Sequence, residues 1–177
     1  PKANKRNIAI TQPRVLTAID IPTNLPEYYP YLTIGKNLGY NTGSYKRIPS
    51  DNGIIFMTTG ILLQQLNILT DEEFINKYSF ILIDEVHDRN IDIDLTLFLL
   101  KKFLSNNYDN PKCPIIILMS ATFEPKLFIN YFNCPSKNYI SITGSTYLIE
   151  DNYIKYDAVD YIKKAIDIAE ELHIKNI

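Results

Sequence analysis

The residues best suited to chemistry stand together: Asp84-Glu85-Val86-His87, directly after the apolar run Phe80 to Ile83. Two adjacent carboxylates at the end of such a run can divide one task. One holds a hydrated Mg²⁺ that bridges nucleotide phosphates, and the other orients or deprotonates an attacking water. We assign Asp84 to the metal and Glu85 to the water, with Glu85 also close enough to count as a metal ligand. An acid after a strand is, taken alone, more commonly a helix N-cap. A single histidine such as His87 would, taken alone, be a core or surface residue. The four residues in sequence carry the reading.

Polar groups follow other apolar runs in the same way. Ile115 to Met119 ends in Ser120-Ala121-Thr122, Ile54 to Met57 ends in Thr58-Thr59-Gly60, and Asn7 to Thr11 ends in Gln12-Pro13-Arg14. Hydroxyls and free backbone N–H groups at a helix start can hold a phosphate, and they serve equally well as a plain N-cap.

These groups need a sheet to bring them to one edge. Phe80 to Ile83 is apolar without alternation, which predicts a parallel strand covered on both faces by helices. Ligands of such sheets bind beyond the carboxyl ends of the strands. Further strands are expected over 7–11, 38–42, 54–58, 115–119 and 139–143. A brief helix from Val15 should stop at Pro22, Pro26 and Pro30. Other helices are expected from Thr59 along Ile61, Leu62 and Leu66, and from a capping Asp71 to Lys77. A longer one over 91–104 should lay Leu95, Phe98, Leu99 and Phe103 on the sheet, and another spans 123–132. Val159, Ile162, Ile166, Ala169 and Leu172 mark a last helix. The order of elements predicts an α/β fold with a mostly parallel sheet. Tyr28, Tyr29 and Tyr31 are expected to pack under a loop rather than stack on bases.

Composition bounds the rest. A chain of 177 residues with 46% hydrophobic content can bury one substantial core. Its net charge of -2 provides no overall positive field for nucleic acid, so any such contact must be local. Lys2, Lys5 and Arg6 read as a solvated entry to the first strand. Cys113 and Cys134 lack zinc-ligand spacing and read as reduced thiols. With no apolar stretch near the roughly 20 residues needed to span a bilayer, an intracellular protein without membrane contact is expected.

Taken together, Thr11-Gln12-Pro13-Arg14-Val15, Thr58-Thr59-Gly60, Asp84-Glu85-Val86-His87 and Ser120-Ala121-Thr122 resemble, in order and spacing, motifs Ia, Ib, II and III of the superfamily 2 DExH/DEAH-box helicases. Leu38-Gly39-Tyr40, Met57 to Leu66 and Ile140 to Leu148 are similar to further family segments, so the resemblance covers nearly the whole chain. It implies a truncated first RecA-like domain, residues 1–146. Residues 147–177 would then be the connector and first helix of a second. It implies ATP and Mg²⁺ as cofactors and RNA, or else DNA, as a partner gripped through its backbone without sequence preference. Asp84 and Glu85 match the motif for Mg²⁺ and water. His87 matches the residue that senses nucleotide, and Ser120 and Thr122 match the motif that links hydrolysis to unwinding. Pro13, Arg14, Thr58, Thr59 and Gly60 match regions that grip the nucleic-acid backbone.

The chain also departs from the family. Val15 stands where a second Arg is common, Asp88 replaces the usual Glu, and Ser145 stands where the connector commonly has Arg; these point away from the cellular mainstream and toward viral relatives. No Gly-x-x-x-x-Gly-Lys-Ser/Thr loop occurs, and with only Arg6, Arg14, Arg47 and Arg89 no arginine-finger motif is present. The expectation is an internal helicase segment that begins just after the phosphate loop, inactive by itself and of low stability, because the missing strand would lie beside the Asp-Glu strand. A non-catalytic RecA-like binding module and a double-stranded DNA translocase stay open as alternatives.

Overall fold

The computed structural model describes residues 6–121, 125–142, 153 and 159–175. The chain divides into two units, Pro1–Tyr139 and Ile140–Ile177. The first is built on six strands: β1 (Asn7–Gln12), β2 (Leu38–Asn41), β3 (Lys46–Arg47), β4 (Ile54–Thr58), β5 (Tyr78–Ile83) and β6 (Ile115–Leu118). They lie in the order β3-β2-β4-β1-β5-β6, all neighbours parallel except the hairpin partners β2 and β3. Helices α1 (Val15–Tyr28), α2 (Thr59–Ile68), α3 (Asp71–Lys77), α4 (Ile91–Asn107) and α5 (Pro125–Phe132) complete this unit. A mostly parallel sheet flanked by helices is what the strand pattern predicted, and a RecA-like type is what the helicase resemblance implied.

The larger core cluster lies on one face of the sheet. Ala9, Ile55, Met57, Ile81 and Ile83 point from the sheet into a cluster with Leu62 of α2, Phe74 and Ile75 of α3, and Leu100 and Phe103 of α4. Phe74 is edge-on to both Tyr78 and Phe103, with centroids 5.4 and 5.1 Å away. Tyr78 donates its hydroxyl to Gln65 Oε1 on α2, and burial pushes its phenol pKa up to about 12. Side chains alternate along a strand, so Leu38 and Phe56 face the other side, where α1 packs with Ala18 and Pro22 buried. Connections that step toward β6 use the α2, α3 and α4 face, and the one that steps toward β3 uses the α1 face, as right-handed crossovers require.

Several expectations fail for identifiable reasons. The helix from Val15 does not stop at its first proline: α1 runs to Tyr28 with Pro22 and Pro26 inside it. Its Ala18 and Pro22 face is buried against the sheet, and that packing outweighs the missing backbone donors. Tyr28 and Tyr31 do not lie under a loop but are 76% and 72% exposed. In α3 the cap is Thr70, not Asp71, through a reciprocal capping box with Glu73. Helix α4 buries Ile93, Thr96, Leu97, Leu100 and Phe103 and leaves Leu95 and Phe98 exposed. It carries apolar residues on two faces, so periodicity cannot choose the inner one. Residues 139–142 form no strand. Arg6 is no solvated entry residue; its guanidinium donates to the backbone carbonyls of Ile75, Tyr78 and Lys112 and ties β1 to the foot of β5.

The largest correction concerns β5. It is covered on one face only: Phe80 is 37% exposed, and Ile115 and Ile117 beside it on β6 are 55% and 39% exposed. Both edges of β5 are already paired, with β1 and with β6. A further strand cannot lie beside it; among the described residues the sheet ends at β3 on one side and at β6, the neighbour of β5, on the other.

In the second unit α6 (Tyr161–Lys175) is the described helix, with Ile162, Ile166 and Leu172 more than half exposed. Val159 precedes it. No helix among the described residues is long and apolar enough to cross a membrane.

Candidate functional site

Parallel pairing places the carboxyl ends of β4, β1, β5 and β6 side by side. Gln12 pairs with Thr58 across the β1–β4 ladder, and Thr11 pairs with Ile83, so Gln12 lies beside Asp84. Past the last pair of β5 and β6, Met119 N–H donates to Ile83 O at 2.8 Å and Val86 N–H donates to Met119 O at 3.2 Å. Those two bonds carry the polar residues after each strand to a common rim.

Asp84 is held at both carboxylate oxygens. Glu85 N–H donates to Oδ1 at 2.9 Å, and Gln12 Nε2 donates to Oδ2 at 2.7 Å. The chain then turns sharply. Glu85 and Arg89 both have left-handed backbone, φ 55° and 46°, on either side of a one-turn 3-10 helix, Val86–Asp88. Such a conformation costs a non-glycine residue roughly 1–2 kcal/mol. It is paid back nearby: Val86 is fully buried, Arg89 binds Asp94 through two nitrogens, and Asn90 caps α4 at Ile93 N–H. The turn swings His87 toward β6. Its Nδ1 lies 2.9 Å from Ser120 Oγ and 3.3 Å from Glu85 Oε2, and its Nε2 is 3.7 Å from Asp88 Oδ1.

Thr58 occupies the N-cap position of α2 without a side-chain bond to the helix, and Thr59 Oγ1 is buried without a hydrogen-bond partner. Neither hydroxyl therefore caps the helix. Gly60 leaves little room, since a Cβ there would sit 3.3 Å from Asp92 Oδ2. Arg14 is exposed at the start of α1, with Pro13 half-buried behind it. Asp84, Glu85, His87 and Ser120 thus form one cluster, and Pro13, Arg14, Thr58, Thr59 and Gly60 lie along the same rim beside it. Thr122 lies outside the described residues. Gln12 was not among the expected site residues; its place at the tip of the strand beside the acid strand is the signal that could have found it.

The donor set suits Mg²⁺. Asp84 presents hard carboxylate oxygens in a fixed orientation with lone pairs to spare. Among the described residues no group of three or more His, Cys, Asp or Glu converges, so the protein would supply part of a shell, as is usual for an ion that keeps waters and substrate oxygens.

No model of a protein family matches the chain. Curated relatives do. It is 35% identical over 97% of its length to a protein of African swine fever virus named "Putative RNA Helicase B962L". It is 33% identical over 84% of its length to the zebrafish "ATP-dependent RNA helicase TDRD9". Over 97% of its length it is 31% identical to a Caenorhabditis elegans protein named "Probable ATP-dependent RNA helicase DHX35 homolog". The chain belongs to the DExH/DEAH-type helicases. It spans 18%, 11% and 23% of the lengths of these three relatives. In helicase terms the rim of β1, β4, β5 and β6 carries the chain's counterparts of four motifs, and the strand order explains how segments more than 100 residues apart in sequence, Gln12 and Ser120, reach one edge.

Proposed function

We propose that this chain is part of the first RecA-like domain of an ATP-dependent RNA helicase, residues 1–146, with residues 147–177 leading into a second such domain. The observation that supports it most is the joined cluster of Asp84, Glu85, His87 and Ser120 at the carboxyl edge of a parallel sheet, beside exposed Arg14 and two threonines that cap nothing.

Asp84, oriented by Gln12 and by the Glu85 backbone, holds Mg²⁺. Held there, Mg²⁺ would supply positive charge against the charge that develops on the phosphates. Glu85 Oε2 accepts the proton of the attacking water, or orients that water. His87 stands between Glu85 and Ser120 and lets the tip of β6 sense which partner the imidazole has taken. Arg14 and the residues around Thr58 to Gly60 hold phosphates of the strand, which positions RNA without reading bases. Nucleotide would sit in a cleft between two RecA-like domains whose closure alternates grip with hydrolysis. The 177 residues alone hydrolyse no ATP, because they contain neither a phosphate loop nor arginine fingers.

The test is ATP-dependent unwinding of a short RNA duplex by the complete protein, with a DNA duplex of the same sequence in parallel. Unwinding of RNA supports the reading. Unwinding of DNA alone would replace RNA with DNA, and neither, with the protein folded, would favour a binding module.

A further inference from the structure

Gln12, which orients Asp84, also stands next to the segments proposed to hold the strand. It is 5% exposed at the last position of β1. On one side its Cα pairs with Thr58 across the ladder, and its next residues are Pro13 and Arg14. On the other side its carboxamide donates to Asp84 Oδ2 at 2.7 Å. One side chain therefore stands between both segments proposed to hold the strand and the carboxylate proposed to hold the metal. We infer that Gln12 is the positioning residue through which strand engagement sets the orientation of Asp84. This rests on the helicase reading above.

The chemistry of the group fits that role. An Arg or Lys at position 12 would form an ion pair with Asp84 and compete with the cation. A carboxamide is a neutral donor; it holds one carboxylate oxygen in place and leaves the charge for the ion. The other oxygen is fixed by the N–H of Glu85, within the acid strand's own tip. Only the Oδ2 contact brings information from a neighbouring strand. Pro13 fixes its own φ, so a shift of the Arg14 segment is transmitted to Gln12 rather than absorbed in a flexible link.

The experiment uses the complete protein and reads RNA affinity by fluorescence anisotropy, with and without a non-hydrolysable ATP analogue and Mg²⁺. Coupling between two sites is reciprocal and is typically about 5- to 150-fold. In Gln12→Leu the factor by which nucleotide changes RNA affinity is expected to fall toward one, and the Mg²⁺ concentration for half-maximal nucleotide binding is expected to rise several-fold. RNA affinity without nucleotide should stay within about twofold, because Gln12 is not itself a strand contact. Gln12→Asn keeps an amide but shortens its reach, and it gives the same answer should the Leu variant fail to fold. A folded variant with wild-type coupling and wild-type Mg²⁺ dependence would overturn the inference and leave the helicase reading intact. A wild-type protein whose RNA affinity ignores nucleotide would overturn both.

Discussion

His87 Nδ1 lies 2.9 Å from Ser120 Oγ and so joins the tips of β5 and β6. The same nitrogen is 3.3 Å from Glu85 Oε2, and when it carries the proton that N–H can serve only one acceptor well. Ser120 therefore competes with the Glu85 carboxylate for the imidazole. Ser120→Ala should leave Nδ1 of His87 with Glu85 alone. In the complete protein the ratio of unwinding to hydrolysis is expected to fall roughly tenfold, about 1.4 kcal/mol of lost coupling. Parallel strand-displacement and phosphate-release assays check it, and an unchanged ratio would separate Ser120 from coupling.

Arg14 is exposed where a backbone phosphate could reach it. Its removal in Arg14→Ala should weaken RNA binding equally for all sequences and reduce the slope of log affinity against log salt by about 0.7, the value for one contact to a single strand. Val15, 41% exposed, stands where the family commonly has a second Arg. Val15→Arg should steepen the slope by a similar amount. A sequence-dependent loss in Arg14→Ala would contradict a role confined to phosphates.

Phe74 is 1% exposed and stacks edge-on against Tyr78 and Phe103. Phe74→Ala should lose about 3–5 kcal/mol, a large part of the stability of an ordinary domain. Denaturant midpoints of the two proteins measure it. A loss under about 1 kcal/mol would mean that α3 does not anchor the core as its burial indicates.

The five parallel strands and the site edge were legible because their signals are local. Apolar runs ending abruptly in Asp84-Glu85, Ser120 and Thr58-Thr59 mark strand tips, and four tips on parallel strands must share an edge. Neighbour relations were not legible. Nothing in the residues around Asp84 says that β1 and β6 flank β5, and the expectation of a missing strand there was wrong for that reason. Helix faces failed where a second apolar stripe competed, as Leu95 and Phe98 did with Leu97 and Leu100. Prolines misled in α1, since Pro22 packs as a small apolar side chain on the sheet. Gln12 was passed over because its role depends on a contact 72 residues away.

The open edge of β6 and the bare face of Phe80, Ile115 and Ile117 lead to a stability prediction. A strand added beside β6 and connected back to β1 moves across the sheet in the direction that β1 to β2 takes, so a right-handed crossover puts its helix on that bare face. The 177 residues alone should therefore melt at low temperature and self-associate through the β6 edge. Adding about 30 natural residues before Pro1, the size of one strand-loop-helix unit, should raise the midpoint and give a monomer. Calorimetry with sedimentation decides it; a cooperative melt at high temperature by the short chain would contradict the account.

We propose Asp84 and Glu85 as a working metal-and-water pair. It is tested most directly by RNA-stimulated ATP hydrolysis in the complete protein, comparing wild type with Glu85→Gln at saturating nucleotide. RNA should stimulate the wild type, and the variant should lose about 100-fold or more, the usual contribution of a general base, with nucleotide still bound. Hydrolysis at the wild-type rate by Glu85→Gln would contradict it.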